Sequence, residues 1–448
     1  MSDSMLIVVA IASIFLLLLL ILKFKMQAFV ALLITSILVG LAVGMPPLEI
    51  VETIEDAMGS ALGFIALVIG LGSMFGEVLR VSGGSERLAL GLIDKFGEKN
   101  IVWALGVSGF LISIAVYIDV AIVILFPILY SIAIKSKKSL LYYGIPLGAG
   151  LSVTHTFVPP TPGPIATASI MGADLGWVII FGVICGIPAM IIAGPMFGKF
   201  ISKKIFVPVP EHVVEELKEQ NFDKELPSLS SVISIIILPL VLILANTSAE
   251  LLLPEGSNIR TTLMFIGNPV VALLVVCLLT FWLFGTKRGY TRNDIQSIVT
   301  KAMEPAGIII LITGAGSVFG EMLVQSGIGD ILANAMESAN MPLIVFGFLT
   351  ASIIRIAQGS GTVSMITAAS LVAPLIETFD VSAPMLGLIT IAIASGGAAF
   401  AHVNDSGFWM ANRYLNMTVK DTLKSWTVMK SIVGITGFAM SLLLSLFV

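Results

Sequence analysis

Residues 155–164 read HTFVPPTPGP and lie in the middle of a long apolar region. Proline has no backbone N–H and cannot continue a helix, and this stretch contains four prolines beside one glycine. The segments on both sides have helical composition, so the sequence predicts one membrane helix, residues 140–171, that is broken at mid-depth. Irregular backbone at that depth occurs only where it is buried in protein or lines a watery cavity, and in transporters it marks the substrate site.

The composition predicts an all-α polytopic membrane protein. Hydrophobic residues make up 57% and charged residues 12% of the 448 residues, and the mean hydropathy is +1.04. Soluble domains carry about 25% charged residues. The two cysteines, Cys185 and Cys277, lie in separate apolar segments and are expected to be packing residues. The histidines and aspartates lack the spacing of metal ligands. We therefore expect no metal, no cofactor and no nucleic-acid partner.

Positive charges orient the apolar segments in the membrane. Lys23 and Lys25 follow the first segment, so the positive-inside rule places its end in the cytoplasm and the N-terminus outside. Applied along the chain, the rule places residues 46–56 in an outside loop and the C-terminus outside. The predicted divisions are a first membrane repeat (1–205), an acidic cytoplasmic linker (206–228) and a second membrane repeat (229–448).

Two apolar segments are too long for one crossing and too short for two. Residues 101–134 have basic residues at both ends, and residues 342–376 have acidic residues at both ends. Each segment is therefore predicted to be a re-entrant hairpin that enters and leaves on the same side. The expected tips are residues 117–119 and 358–362. A second broken helix, residues 384–412, is interrupted at residues 402–407.

The two halves carry a repeated motif. Residues 70–83 read GLGSMFGEVLRVSG and residues 314–327 read GAGSVFGEMLVQSG, with nine of fourteen positions identical. The first copy is predicted to run inward and the second outward. A common offset pairs His155 with His402, which suggests that the two helix breaks are equivalent. Inverted repeats with paired discontinuous helices are typical of secondary transporters.

The helix breaks and hairpin tips are expected to meet near the midplane and to bind substrate. Arg355, just before the second tip, could pair with a substrate carboxylate or with a structural acid such as Asp405. Short Gly/Ser/Thr segments could offer hydroxyls to a polyhydroxylated substrate or could be simple tight turns. The predicted substrate-binding residues are Thr154, His155, Thr156, Thr161, Gly163, Gln358, Gly359, Ser360, Gly361, Thr362, His402, Asn404, Asp405 and Ser406.

Four side chains are candidates to carry a coupling proton. Asp119 is the only charge in its hairpin, and a carboxylate inside a membrane is a functional candidate by default; the alternative is a structural acid at the hairpin turn. Asp405 could handle a proton or cap a helix. His155 and His402 could titrate or could steady the breaks through hydrogen bonds. The sequence leaves the choice among these four open.

The chain has no G-x-S-x-G, no H-E-x-x-H, no P-loop and no nucleotide-binding domain. We therefore expect a protein that is not an enzyme and is driven by an ion gradient. Sodium is the alternative to the proton, because unwound carbonyls and Ser/Thr groups can bind it. An anion channel or a membrane receptor is the alternative from another class.

The runs HTFVPPTPGPIATA, beginning at His155, and AHVNDSGFW, beginning at Ala401, resemble the gluconate permease (GntP-type) family. The resemblance covers the whole chain. It implies a proton symporter of the bacterial inner membrane for gluconate or a related sugar acid or hydroxy acid, with glycerate and D-serine as further family substrates. It also implies membership of the ion-transporter superfamily, whose members are homodimers in which a transport domain moves against a scaffold as an elevator.

Overall fold

The computed structural model describes residues 3–209, 226–327, 341–376, 378–379, 381–403 and 405–448, apart from a few side chains that include Asp119. All regular structure in these residues is helical, which confirms the predicted fold class. Most of the predicted acidic linker, residues 210–225, and the amphipathic segment 328–340 lie outside the described residues.

The helices of the first half follow one another with short connections. They are α1 (Asp3–Leu22), α2 (Ala28–Ala42), α3 (Pro47–Val81), α4 (Gly84–Phe96), α5 (Ile101–Ala115), α6 (Ile118–Ser136), α7 (Leu141–Phe157), α8 (Pro162–Met171), α9 (Leu175–Ile191) and α10 (Phe197–Ile201). A π-helical turn, Ile192–Met196, joins α9 to α10.

The described part of the second half also contains a long helix, a helical hairpin and a broken helix. Its helices are α11 (Leu229–Leu252), α12 (Asn258–Gly267), α13 (Pro269–Thr280), α14 (Arg292–Gln325), α15 (Leu343–Gln358), α16 (Gly361–Ile376), α17 (Ala383–Ala398), α18 (Ser406–Tyr414), α19 (Val419–Thr422) and α20 (Val428–Leu444). Two π-helical turns lie at Phe281–Gly285 and Leu423–Thr427.

Six helical segments in the described part of the chain are long and apolar enough to cross a membrane. Two of them, α3 and α14, have 35 and 34 residues and exceed the length that a bilayer core of about 30 Å needs. The acidic segment 46–56, predicted as an outside loop, instead begins α3. The reason is local, because Pro47 stands at the first helical position, where its missing N–H costs nothing.

Both hairpin turns and the first helix break are shorter than the sequence predicted, whereas the second break, between Ala398 and Ser406, is longer and begins earlier than the predicted residues 402–407. Val116 and Tyr117 join α5 to α6, and two residues join α15 to α16. The first break comprises only residues 158–161. His155 therefore lies in the last turn of α7, whereas His402 follows the end of α17. The two histidines are not equivalent, because prolines end α7 and the left-handed backbone of Phe400, with φ 56°, follows α17.

Packing around the two half-helices that follow the breaks is unequal. The long helices α3 and α14 pack along each other, α5 packs on α7, and α15 packs on α17. The half-helix α8 contacts α3, α16 and α17 and is almost entirely buried. Its counterpart α18 contacts α6 and α19, and several of its side chains are exposed.

The two copies of the repeated motif contact different parts of the two hairpins. A side chain at Gly76 in α3 would overlap the carbonyl oxygen of Ala115, next to the tip of the first hairpin. At the matching Gly320 in α14, a Cβ would lie 3.2 Å from the carbonyl oxygen of Ser370, well inside the second arm of the other hairpin. Backbones approach closely at both positions, so a side chain is excluded at Gly76, and one at Gly320 would require a small shift of the neighbouring helix.

Candidate substrate-binding site

A cavity of about 390 Å³ lies where the end of α7, the turn between α15 and α16, and the start of α18 converge. Cavities of this size are typical of small-molecule sites. Many of the residues predicted to bind substrate line it, and these are His155, Thr156, Arg355, Gln358, Gly359, Ser360, Gly361, Thr362, Asp405 and Ser406. Packing therefore brings together three segments that are far apart in the sequence.

An ion pair joins the hairpin to the second break. Arg355, in the last turn of α15, donates from Nη2 to Oδ2 of Asp405 at 2.6 Å, and it also donates from Nη1 to the carbonyl oxygen of Gly359. The Arg355 and Asp405 side chains are 3% and 13% exposed. Oδ1 of Asp405 accepts from the Gly407 N–H and caps α18. Of the two partners that the sequence left open for Arg355, the structure contains Asp405.

The turn between α15 and α16 is held by its own polar groups. Gly359 has a left-handed backbone with φ 88°, which favours glycine. The Gln358 amide donates to Oγ of Ser364, and the Ser364 hydroxyl donates to the carbonyl oxygen of Ser360 at 2.6 Å. The Ser360 hydroxyl accepts from the Val363 N–H. This segment is therefore both a tight turn and part of the cavity wall.

Several predicted site residues support the cavity without lining it. Thr161 donates its hydroxyl to the carbonyl oxygen of Val158, and Thr154 is fully buried. Gly163 faces the end of the Met365 side chain, where a Cβ would lie 3.3 Å from it. The ring nitrogen Nε2 of His402 bonds to the carbonyl oxygen of Ile356 at 3.0 Å.

Two predicted residues fall outside what the structure describes. Asn404 is one of them. Asp119 lies in the first turn of α6, beside the cavity-lining Ile118, but its side chain is not among the described ones. Their roles therefore stay predictions.

Three buried polar atoms belong to residues that line the cavity and have no hydrogen-bond partner within the described part of the chain. They are Nδ1 of His155, Nε of Arg355 and Nε1 of Trp426. Buried polar atoms in proteins are usually paired, with protein groups or with bound molecules. Two of them, Nε of Arg355 and Nε1 of Trp426, are N–H donors.

Two lining residues with polar groups were missed from the sequence. Trp426 and Lys430 come from the last membrane segment, and both are largely buried. The signal that could have identified them is their spacing, because residues four apart share one helix face.

Two other cavities lie at matching positions beside α3 and α14. One, of about 400 Å³, is lined by Ser73, Gly76 and Glu77, and the other, of about 740 Å³, by the equivalent Ser317, Gly320 and Glu321. The larger cavity carries four carboxylates among its described lining residues, from Glu49, Glu52, Asp56 and Glu321, and no cationic group. An anionic substrate therefore fits the cavity beside Arg355 better than it fits this larger cavity.

Comparison with known proteins points to one family. The description "GntP family permease" matches residues 5–447. The chain is 38% identical to the low-affinity gluconate transporter of Escherichia coli (strain K12) over 437 residues, 98% of this chain and 97% of that protein. It is 36% identical to the gluconate permease of Pseudomonas aeruginosa over 444 residues, 99% and 98% of the two chains.

A solved structure supports the fold alone. The crystal structure of the Alcanivorax borkumensis YdaH transporter matches with a TM-score of 0.63 and 13% sequence identity, and the match covers 87% of this chain and 88% of that one.

Proposed function

The chain belongs to the GntP permease family, and from that premise we propose that it imports gluconate or a closely related sugar acid together with protons. It is a multipass protein of the inner membrane, as its family and its apolar helices indicate. The observation that carries the proposal is the cavity of about 390 Å³ in which Arg355 and Asp405 pair beside the hairpin turn. Glycerate, D-serine and other hydroxy acids are the alternative substrates.

Asp405 is the proposed proton carrier, because the ionised Asp405 carboxylate and the substrate carboxylate compete for the positive charge of Arg355. When Asp405 is ionised, it neutralises Arg355. A proton on Asp405 leaves the Arg355 charge to attract a substrate carboxylate, so proton and anion bind together favourably. One proton then accompanies one substrate anion. Asp119, His155 and His402 remain the alternative carriers.

The unequal packing of the two halves supports alternating access by an elevator movement. The tip of the first hairpin contacts α3 through the hydrogen bond between Ser73 Oγ and the Tyr117 hydroxyl, 2.9 Å long. The matching helix α14 contacts the arm of the other hairpin. We propose that the opposite state exchanges these two arrangements. The homodimer that the family resemblance implies is part of this proposal.

The proposed coupling is tested with purified protein in proteoliposomes. Labelled gluconate should accumulate above its equilibrium concentration only when a proton gradient is directed inward. The reason is that the proton bound to Asp405 moves down its gradient together with the substrate. The measurement is the accumulation ratio with and without an uncoupler. Equal accumulation after the uncoupler, with a sodium gradient sufficient, would contradict proton coupling, and flux without saturable counterflow would indicate a channel.

The proposed orientation places both termini outside and the end of α6 inside. In a variant Lys135→Cys, the thiol at this exposed position should react with an impermeant maleimide only after the membrane is opened. Glu52→Cys, at an exposed position near the start of α3, is the matched variant and should react in intact cells. The native cysteines are buried, so their background should be low. Reversed labelling of the two variants would invert the proposed topology.

A further inference from the structure

The cavity of about 390 Å³ has an exposed mouth and a buried end. Among its lining residues, Ser360 and Ser406 are exposed, whereas Thr156, Met365 and Gly397 are buried. A ligand that enters from the exposed side therefore reaches the buried residues last. The side chains at the buried end determine how far such a ligand extends into the protein.

Met365 has the longest side chain that α16 contributes to the cavity wall. The lining residues of α16 are Gly361, Thr362 and Met365. Residues one and four positions apart lie on the same side of a helix, so these three form one face. Because Met365 belongs to the face that lines the cavity, its side chain is part of the wall.

The Met365 side chain fills a space between two neighbouring helices, where glycines make room for it. A Cβ at Gly397 in α17 would lie 2.5 Å from Cγ of Met365. A Cβ at Gly163 in α8 would lie 3.3 Å from both Sδ and Cε of Met365. The thioether end therefore lies against α8. Truncation of this side chain would join the vacated space to the cavity.

We propose that Met365 determines the longest carbon chain that the transporter accepts, because its side chain closes the buried end of the cavity. This inference rests on the proposed transport of a sugar acid. A six-carbon acid fits in front of the thioether, and a seventh carbon meets it. One additional methylene group changes recognition by a closed pocket about 10–200-fold, so a single side chain is sufficient to separate homologous acids.

The test compares three acids that differ mainly in chain length, which are xylonate with five carbons, gluconate with six and glucoheptonate with seven. Each competes with labelled gluconate for uptake into proteoliposomes. For the wild type, half-inhibition should require at least about 10-fold more glucoheptonate than gluconate. Met365→Ala should bring these two concentrations within about 3-fold of each other, because the seventh carbon occupies the vacated space.

Met190→Ala is the matched control for the loss of a buried methionine. Met190 in α9 is 6% exposed and does not line the cavity. Its truncation should reduce stability, as truncation of Met365 should, because both leave a void in a packed region. The wild-type order of the three acids should nevertheless persist. A merely structural role of Met365 would likewise weaken the uptake of all acids equally and leave their order unchanged.

Gly163→Ala should have the opposite effect on chain length, because its methyl group presses on the thioether end of Met365. The next atom near this methyl group is Oγ1 of Thr362, at 3.8 Å. We expect the half-inhibiting concentration of gluconate to rise about 3-fold relative to that of xylonate. In the double variant Gly163→Ala with Met365→Ala, this rise should disappear, because the thioether is no longer there.

The outcomes separate this inference from the proposed function. If the wild type takes up no gluconate, the proposed function is wrong and the inference falls with it. If the wild type transports gluconate while Met365→Ala discriminates against glucoheptonate as strongly as the wild type, only the role of Met365 is overturned. Equal inhibition of the wild type by gluconate and glucoheptonate also overturns it. If Met365→Ala does not reach the membrane, Gly163→Ala decides, because the expected rise supports the inference and an unchanged ratio overturns it.

Discussion

Asp405→Asn is expected to abolish proton-driven accumulation of gluconate and to spare exchange of gluconate across the membrane. The asparagine side chain cannot take up and release a proton, so the site cannot couple the substrate to the gradient. It resembles the protonated carboxyl, and it still caps α18, because asparagine is as good an N-cap as aspartate. The measurements are concentrative uptake and counterflow in proteoliposomes.

The same substitution should also reduce stability, because it leaves the buried Arg355 guanidinium without its counter-charge. Arg355 is 3% exposed, and removing one partner of such a pair costs about 3 kcal/mol. In the double variant Arg355→Met with Asp405→Asn no charge remains unpaired, so thermal stability should largely return. Proton-driven accumulation should not return. This combination separates a coupling defect from a folding defect.

Glu255→Gln serves as the control for loss of an ion pair. Glu255 is 95% exposed and lies 3.8 Å from Arg260, and such surface pairs contribute about 0–1 kcal/mol. Its uptake and stability should match the wild type. Undiminished accumulation by Asp405→Asn would exclude Asp405 as the carrier and transfer the role to Asp119, His155 or His402.

In the double variant Ser317→Cys with Ser360→Cys, a cross-link between the two thiols should stop transport completely. We expect this link to form once the protein has adopted the opposite state of the transport cycle. Ser317 is the repeat partner of Ser73, and Ser360 precedes the second arm of its hairpin as Tyr117 does in the first. Exchange of the two arrangements would therefore bring Ser317 to the tip of the second hairpin. At present, the segment of α14 around Ser317 and Gly320 contacts Ser370, which lies nine residues after the start of α16. Moving this contact to the hairpin tip implies a shift along the helix on the order of 14 Å.

The pair Ser73→Cys with Tyr117→Cys is the matched variant, because these side chains already meet in the present structure. A short bifunctional thiol reagent should link it at once, whereas substrate and a proton gradient should change the rate of linking for Ser317→Cys with Ser360→Cys. Both linked proteins should be inactive, and reduction of a cleavable reagent should restore uptake. Full uptake after complete linking of either pair would refute the proposed movement.

Much of the site could be located from local chemistry. Prolines cannot continue a helix, so residues 155–164 revealed one break. The polar run HVNDSG at residues 402–407 revealed the second. The glycine-containing turn 358–362 revealed the hairpin tip between α15 and α16. Each of these features depends on a few adjacent residues, and the cavity contains residues from all three.

Exact roles within these segments depended on packing. Thr154, Thr161 and Gly163 were predicted to bind substrate but do not line the cavity. Thr154 is buried in α7, the Thr161 hydroxyl donates to the carbonyl oxygen of Val158, and Gly163 faces Met365. His155 and His402 share an offset in the sequence, yet one is in a helix and the other is not. Small differences in where a helix ends rotate each side chain to a new direction.

The partner of Arg355 and the contribution of α20 could be recognised only in three dimensions. Arg355 and Asp405 are fifty residues apart, and nothing in either segment specifies which of two partners the guanidinium takes. Trp426 and Lys430 lie in what reads as an ordinary final span. Local composition determines where helices break and that the chain spans a membrane, because proline and apolar residues act through their own chemistry. Helix packing determines which residues line the cavity, because contacts between distant segments depend on how whole helices fit together.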